Sequence, residues 1–524
     1  MRILLAYTSG ADRHDEHAFF VNLMPVGLCS IHSLLRTSGY DVRLANISAL
    51  SEKELDSLLL DFTPSIIGLS MWTHNRHETI EMAKMFKKRQ PGCIVILGGG
   101  HATAEAESII AHQPCVDIIV TGEGEATVSE LFRAFSEGRS PASVAGLVLR
   151  HNDEILKTSI RPRQEELDSL PYAYRFLDEA MGCDPSIQGQ FISTARGCPS
   201  SCRFCASPTF WGKRVVARSP ESVIEELLFL RNKYGIIYIS MRDDTFTLDR
   251  GRIMTLCNLL SDKRPGFFWN CQTRVECLDE ELLARMKDAG CECVQLGVES
   301  GSEKTLDYLG KKLEPERLVN AAELVHSVGL SLSVYIISGV PDESEADREM
   351  TRSLLRRMKP HDIQMAPLVF YPGTEICSEY ISKKLIDANI FEKSKSRALL
   401  VNDNEYPSSP DLLSGLFYDA PVFTEKRLLE TEGRYGYSAV GRMQLGDRFI
   451  ESGKRKKAED AYLEITLKEP YHPWGWLLLA EMYQEDGRMD DAAGCYEKLL
   501  QIVPAHRDAK NFIDGHDKKR GRRK

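Results

Sequence analysis

TARGCPSSCRFCASPTFW, residues Thr194–Trp211, sets Cys198, Cys202 and Cys205 in a Cys-x3-Cys-x2-Cys loop. Three thiolates on one tight loop can hold three corners of a [4Fe–4S] cube and leave the fourth iron without a protein ligand. An iron left open in this way can bind a small molecule and pass it an electron. The competing reading is a zinc knuckle. Structural zinc takes four ligands in two separated pairs, and no second Cys or His pair at such spacing follows. The cube is the expected occupant.

The loop follows a short apolar run, Phe191–Thr194, that reads as a β-strand. Further strand candidates are Ile236–Ser240, Phe268–Gln272, Val294–Val298, Leu332–Ile337 and Asp362–Pro367, with helical patterns such as Pro220–Lys233 and Asp279–Asp288 between them. Six parallel βα units over residues 191–402 predict a partial (β/α)6 barrel, with reactive groups at the carboxyl ends of its strands.

Upstream, residues 1–140 alternate strand and helix five times, with apolar runs at Ile3–Tyr7, Val42–Ile47, Ile66–Trp72, Ile94–Leu97 and Val116–Val120. Helical patterns such as Leu28–Leu35 and Glu78–Lys88 lie between them. This is the pattern of an α/β, doubly wound parallel sheet (Rossmann-like), which binds ligands outside the carboxyl ends of its strands. Three groups fall at those ends: Ser70 to His74, Gly98-Gly99-Gly100-His101 and Gly122-Glu123-Gly124-Glu125. Glycine lets backbone approach a large ligand closely, although a tight strand-to-helix turn needs it too. Three such clusters on one edge favour a ligand site. Residues 141–190, with RPRQEELDSLPYAY, read as a linker.

Residues 403–440, rich in Pro, Ser and Asp, read as a linker or lid. A repeat of period 34 follows. Leu445, Gly446, Phe449, Gly453, Ala458, Tyr462 and Pro470 return as Leu479, Ala480, Tyr483, Gly487, Ala492, Tyr496 and Pro504, with Trp476 as the opening aromatic. Residues 441–510 thus resemble two tetratricopeptide repeats, all-α hairpins. Two repeats are too few to close a core alone, so they should lean on the catalytic domain or on a protein partner. Residues 511–524, ending in DKKRGRRK, are expected to form a basic disordered tail.

Bulk composition narrows the function. The chain has 524 residues and a net charge of −10 with no basic groove, which argues against nucleic acid as a partner. No apolar run approaches a membrane span, and MRILLAY (Met1–Tyr7) is too short for a signal segment. Fourteen scattered cysteines do not make a disulfide scaffold. The expectation is a soluble, cytoplasmic protein in a reducing compartment, and an exposed low-potential cluster suggests an anaerobe.

With Phe204 immediately before its third cysteine, the loop resembles that of the radical S-adenosylmethionine (SAM) enzymes, over roughly residues 190–380. The resemblance implies SAM contacts at the ends of successive strands. RDDTFT (Arg242–Thr247) would supply Asp243 or Asp244 to the methionine amine, and QTR would supply Arg274. GVESGS (Gly297–Ser302) would place Glu299 and Ser300 on ribose and carboxylate, and ISGVP (Ile337–Pro341) would place Ser338 near adenine. The Asp-Asp pair departs from the Gly-Gly-Glu sequence of that family.

The N-terminal third resembles the cobalamin-binding domain of the cobalamin-dependent branch, through MPVGLCSIHSLLRTSGYDV (Met24–Val42), GGGHAT (Gly98–Thr103) and GEGEAT (Gly122–Thr127). This implies cobalamin contacts at Ser70, Thr73, Gly98, Gly99, Gly100, His101, Gly122, Glu123 and Gly124. Another class of cobalamin protein supplies a cobalt ligand from an Asp-x-His-x-x-Gly loop. GADRHDEH (Gly10–His17) has Asp12 and His14 but His17 in place of the glycine, so His14 reads either as a ligand or as a surface residue.

The resemblance implies radical methylation. One electron cleaves SAM, the resulting 5′-deoxyadenosyl radical takes a hydrogen from substrate, and methylcobalamin supplies the methyl group. The substrate would be a small molecule or peptide, and the electron donor a flavodoxin or ferredoxin. Cyclisation or rearrangement without methyl transfer is the alternative within enzymes. A repeat scaffold with a vestigial core is the alternative outside them, against which the intact cysteines argue.

Overall fold

The structure, a computed structural model, describes residues 1–9, 23–151, 154–402 and 421–521. It divides into two compact units. The first takes Met1–Gln188, Arg196–Ala217 and Leu368–Val401, and the second Gly189–Ala195, Arg218–Pro367 and the chain from Asn402 onward.

The first unit is built on a seven-stranded sheet. Its strands are β1 (Arg2–Tyr7), β2 (Asp41–Asn46), β3 (Ile66–Ser70), β4 (Ile94–Gly98), β5 (Ile118–Val120), β6 (Leu147–His151) and β7 (Glu154–Lys157), in the order β2-β1-β3-β4-β5-β6-β7. The first five are parallel, with Ile3 opposite both Val42 and Ile66. Their Ile- and Val-rich runs are buried because helices cover both faces. The reversal of strand order between β1 and β3 opens the crevice in which such sheets bind ligands.

Two expectations are corrected here. The linker over residues 141–190 contains β6 and β7, which pair antiparallel onto β5, so the sheet is mixed rather than all parallel. Leu147, Val148 and Leu149 are buried against that edge, a short apolar run that the surrounding polar sequence masks. In addition, residues 368–401 leave the expected barrel for the first unit. The buried Arg76 guanidinium donates to the carbonyls of Phe391 (2.8 Å), Ser394 (2.8 Å) and Ser396 (2.7 Å), fixing this segment.

The second unit carries a wholly parallel six-stranded sheet in sequential order: β8 (Phe191–Ile192), β9 (Tyr238–Met241), β10 (Phe268–Thr273), β11 (Cys291–Glu299), β12 (Ser331–Ser338) and β13 (Asp362–Pro367). Its two faces differ. Trp269, Cys271, Val294, Leu296, Leu332, Val334 and Ile336 are buried on one. Asn270, Gln272, Gln295, Ser333 and Tyr335 alternate with them and carry a hydrogen-bonded polar layer, including Gln272 Nε2 to Tyr335 Oη (2.8 Å) and Tyr335 Oη to Gln295 Oε1 (3.1 Å). Parallel sheets between two helical layers are apolar on both sides, and this sheet departs from that pattern on one face.

Helices Ala439–Glu451, Arg455–Lys468, Pro473–Glu485 and Met489–Ile502 follow in the same unit. They pack against the amino ends of β9 and β10: Trp474 stacks on Phe268 at 4.7 Å and donates its indole N–H to the Ile237 carbonyl at 3.1 Å. Gly266, at φ +74°, is held so close that a Cβ there would lie 2.3 Å from Pro473 Cδ. The linker or lid contains a helix, Glu425–Tyr435, while residues 403–420 lie outside the described residues. The tail expected to be disordered is helical over Arg507–Gly521. Ala509 is buried and the Phe512 ring lies 4.6 Å from that of Tyr496, so an apolar stripe holds this helix despite its basic charge. Among the described residues, no helix is long and apolar enough to cross a membrane.

Candidate active site

Cys198 is buried, and Cys202 and Cys205 half-buried, on a stretch with no helix or strand between Arg196 and Ser207. The stretch is held from both sides. Gly197, at φ +103°, packs where a Cβ would meet the Arg214 carbonyl oxygen at 2.5 Å. Arg203 pairs with Glu375 (2.7 Å) and Glu379, and the Arg203 carbonyl accepts from the Ile376 N–H (3.2 Å). The Ser207 N–H points at Cys205 Sγ (3.4 Å), the donor a metal-bound thiolate needs. None of the fourteen cysteines, all described, is in a disulfide. Among the described residues, no three His, Cys, Asp or Glu side chains converge as ligands of one metal ion. Phe204 is half-buried within the loop.

In the first unit, the cobalamin candidates gather at the carboxyl ends of β3, β4 and β5. The Met71 N–H donates to the Gly98 carbonyl (2.8 Å), and a Cβ on Gly99, at φ +103°, would lie 2.6 Å from the Met71 oxygen. Only glycine fits there. Gly122, at φ +71°, has open space where a Cβ would be, and its N–H donates to Thr103 Oγ1 (3.0 Å). Bare backbone facing open space beyond a parallel sheet suits a large planar ligand. Ser70 is buried, and its carbonyl accepts from Asn75 Nδ2 (3.2 Å). Gly100 packs on the Trp72 ring, and Gly124 lies beside Ile31.

Two of these candidates face inward. His101 is buried, hydrogen-bonded through Nδ1 to Thr73 Oγ1 (3.1 Å) and edge-on to Phe391, and burial drives its pKa down to about 3. The Glu123 carboxylate accepts from the Gln164 N–H (2.7 Å) and from Arg196 Nη1 (3.0 Å). Arg196 also reaches Glu125 through Nη2 (2.6 Å), and Ser30 Oγ donates to the same carboxylate (2.8 Å). Burial pushes the Glu125 carboxyl up, but the charge and hydrogen bonds of Arg196 outweigh it and hold the group below the usual range. No sequence motif marked Arg196 or Glu125; Arg196 stands two residues before the first cysteine. Asp12, His14 and His17 lie outside the described residues.

In the second unit, the SAM candidates do end successive strands, but several are engaged internally. Asp243 is buried and accepts from the Thr194 N–H (2.5 Å), Thr194 Oγ1 (2.5 Å) and the Ala195 N–H (3.0 Å). It therefore fixes the chain just before the cysteine loop, and those bonds end β8 two residues early. Burial raises its pKa, against the opposing pull of those hydrogen bonds. Asp244 is exposed beside it. Arg274 is half-buried, with Nη2 3.4 Å from Glu276.

Glu299 has the left-handed φ of +66°, follows an irregularity in the β11–β12 ladder, and pairs with the buried Lys311 at 2.7 Å. Lys311 also donates to the Gly297 carbonyl (2.5 Å). Ser300 Oγ lies 3.2 Å from Thr351 Oγ1, and Ser338 Oγ lies 3.5 Å from the Ala366 carbonyl. Both serines are buried. Lys311 was not visible in the sequence, because nothing local links it to Glu299.

Comparison with known proteins identifies two domains in the chain. Residues 19–132 match the B12 binding domain, and residues 192–355 the radical SAM superfamily. An uncharacterized methyltransferase of Pyrococcus horikoshii is 31% identical over 365 residues, 69% of this chain and 79% of that protein. The anaerobic magnesium-protoporphyrin IX monomethyl ester cyclase of Rubrivivax gelatinosus is 27% identical over 383 residues, 71% of this chain and 68% of that protein. The radical S-adenosylmethionine methyltransferase TsrM from Kitasatospora setae, solved with tryptophan substrate and a SAM analogue, shares the fold at a TM-score of 0.62. It is 17% identical, covering 87% of this chain and 100% of that one. The chain belongs to the radical SAM superfamily, in the form that carries a B12 binding domain. It is an enzyme whose cofactors are a [4Fe–4S] cluster, S-adenosylmethionine and cobalamin.

Proposed function

We propose that the chain methylates an unactivated carbon of a small molecule or peptide. The observation that carries this reading is that the cysteine loop and the cobalamin-side loops belong to one compact unit. Phe210, just beyond the cysteines, lies 6.5 Å from Trp72, and Arg196, just before them, is paired with Glu123 and Glu125. Methyl transfer needs both cofactors close to one substrate carbon, and a shared unit supports that proximity.

When bound, the cofactors supply one-electron cleavage of SAM, hydrogen abstraction from an inert carbon, and a methyl group for that carbon. The chain's own residues bind, orient and shield. Cys198, Cys202 and Cys205 hold the cluster, with the Ser207 N–H supporting Cys205. The backbones of Gly98–Gly100 and Gly122 form the cobalamin seat. Beyond β9, the exposed Asp244 would lie near the methionine amine, while its neighbour Asp243 accepts from the Thr194 and Ala195 amides. Arg274 takes a carboxylate. Glu299, Ser300 and Ser338 shape the seat rather than supply free groups. A partial barrel formed around the sheet's polar face would exclude water from the reacting carbon.

We read the C-terminal helices as two tetratricopeptide repeats that brace the catalytic sheet, supported by the Trp474–Phe268 stack. A cytoplasmic setting with flavodoxin or ferredoxin as donor fits this chemistry.

The similarity to a cyclase favours one second reading, radical cyclisation without methyl transfer. Anaerobic reconstitution with iron, sulfide and hydroxocobalamin, followed by SAM under reduction, separates the two. Formation of both 5′-deoxyadenosine and S-adenosylhomocysteine is expected. Deoxyadenosine alone selects the second reading, and neither product from a reconstituted cluster leaves a repeat scaffold.

A further inference from the structure

Arg196 and Glu125 have no part in binding or chemistry as assigned above, yet with Glu123 of the Gly122–Gly124 loop they form one buried charged group. The side chains of Arg196, Glu123 and Glu125 are 15%, 9% and 5% exposed, and the guanidinium lies 5.3 Å over the Trp211 ring. Two carboxylates in one buried place need a matching positive charge, and Arg163, with Nε 3.8 Å from Glu123, supplies only part of it. The planar fork of Arg196 can reach both carboxylates at once, which a lysine could not do with the same geometry.

These contacts form a continuous physical chain. Thr103, in the helix Gly100–Ala104 that opens at the glycine turn, accepts from the Gly122 N–H (3.0 Å). Glu123 follows Gly122 and holds Arg196. Arg196 is separated from Cys198 by Gly197 alone, whose backbone is pressed against Arg214. A shift of the glycine turn or of the β5 loop therefore reaches the first cysteine through short bonds without a flexible segment.

We propose that Arg196 is a positioning residue that couples cobalamin binding at the Gly98–Gly100 and Gly122–Gly124 loops to cluster loading on the cysteine loop. The inference rests on the cobalamin and cluster assignments above. Loading one cofactor fixes Arg196 and its two carboxylates, so the other finds its loop already ordered. By linkage the effect is the same in both directions.

The test is a titration with hydroxocobalamin, followed by absorbance, of the full chain with and without its reconstituted cluster. In the unaltered chain, cluster loading should tighten hydroxocobalamin binding by about fivefold or more, the lower end of ordinary coupling. Arg196→Lys keeps the charge but loses the fork, and Glu125→Gln keeps Arg196 while weakening the anchor outside the cobalamin contacts. Both should bind the two cofactors and show the coupling reduced to less than about twofold. Iron content and far-UV circular dichroism monitor folding; should R196K fail to take up iron, E125Q decides. Coupling that survives at full size in the variants overturns the proposal. So does an unaltered chain whose cobalamin affinity ignores the cluster, an outcome that leaves the cofactor assignments intact. A chain that binds no cobalamin in either state overturns both.

Discussion

At the scale of single residues, Glu299 and Lys311 show how this fold secures a strained position. A non-glycine residue at φ +66° costs of order 1 kcal/mol or more and persists only where neighbours enforce it. Lys311 enforces it, bridging the Glu299 carboxylate and the Gly297 carbonyl from a buried site. A Cβ on Gly297 would lie 2.6 Å from Glu299 Oε1 and 2.7 Å from Lys311 Nζ, so the bridge also requires that glycine. Lys311→Met leaves a buried carboxylate without its partner, and a loss of about 3 kcal/mol in stability is expected, measured by chemical denaturation. K311M combined with E299Q should recover a large part of that loss. A double variant as unstable as the single one would show that the pair acts otherwise than by charge compensation. Asp243 has the same character: an acid in the right place for a ligand is engaged by its own backbone.

At the scale of elements, an aromatic contact is central to how the C-terminal helices meet the sheet of the second unit. Trp474 adds a stacked ring and an indole hydrogen bond to β10 and to Ile237, the residue just before β9. His472 adds a ring contact at 5.2 Å to the same Phe268. Replacing Trp474 by alanine removes the stack, the hydrogen bond and the buried area together, at about 3 kcal/mol. The expected outcome of W474A is loosening of residues 439–502 from the sheet, seen as faster limited proteolysis in the loops of that segment. Unchanged protection would mean that the helices are held elsewhere, and would return the repeats to a partner-binding role. Period-34 matches such as Leu445 with Leu479 and Tyr462 with Tyr496 were enough to expect hairpins. They could not say what the hairpins lean on, because the repeat pattern specifies a helix's inner face and not its neighbour.

Across the whole molecule, five histidines among the described residues, His32, His101, His326, His472 and His506, are buried in a form that resists protonation. Burial drives His101, His326 and His472 down to about 3 and His32 down to about 4, and it lowers His506 as well. Their folded values lie below that of the unfolded chain, near 6.5. Above about pH 6.5 they cost nothing. Between there and about pH 4 the unfolded chain gains protons that the folded chain cannot, so stability falls as pH falls. Each tenfold loss of proton affinity on folding is worth about 1.4 kcal/mol, so the summed effect is large against ordinary domain stability. The unfolding midpoint is expected to drop steeply from pH 7 to pH 5, and His472→Phe, which keeps a ring against Phe268, should flatten that slope. A slope unchanged in H472F would place the acid sensitivity on the remaining histidines.

What the sequence determined by itself was whatever is encoded within a few residues. The spacing of Cys198, Cys202 and Cys205, the glycines at the strand ends, the apolar runs that became β1 to β5 and β9 to β13, and the helical repeat all have local signatures. The tertiary structure alone decided how the charged side chains are used. Arg196 meets Glu123 across 73 residues, Arg76 meets Phe391 across 315, and Thr194 meets Asp243 across 49. It also decided that residues 147–157 extend the first sheet and that residues 368–401 join it. An ion pair or an edge strand is selected by which surfaces come together. Chain periodicity fixes only which side of an element is apolar, and so it cannot say which distant partner that side or its charges will find.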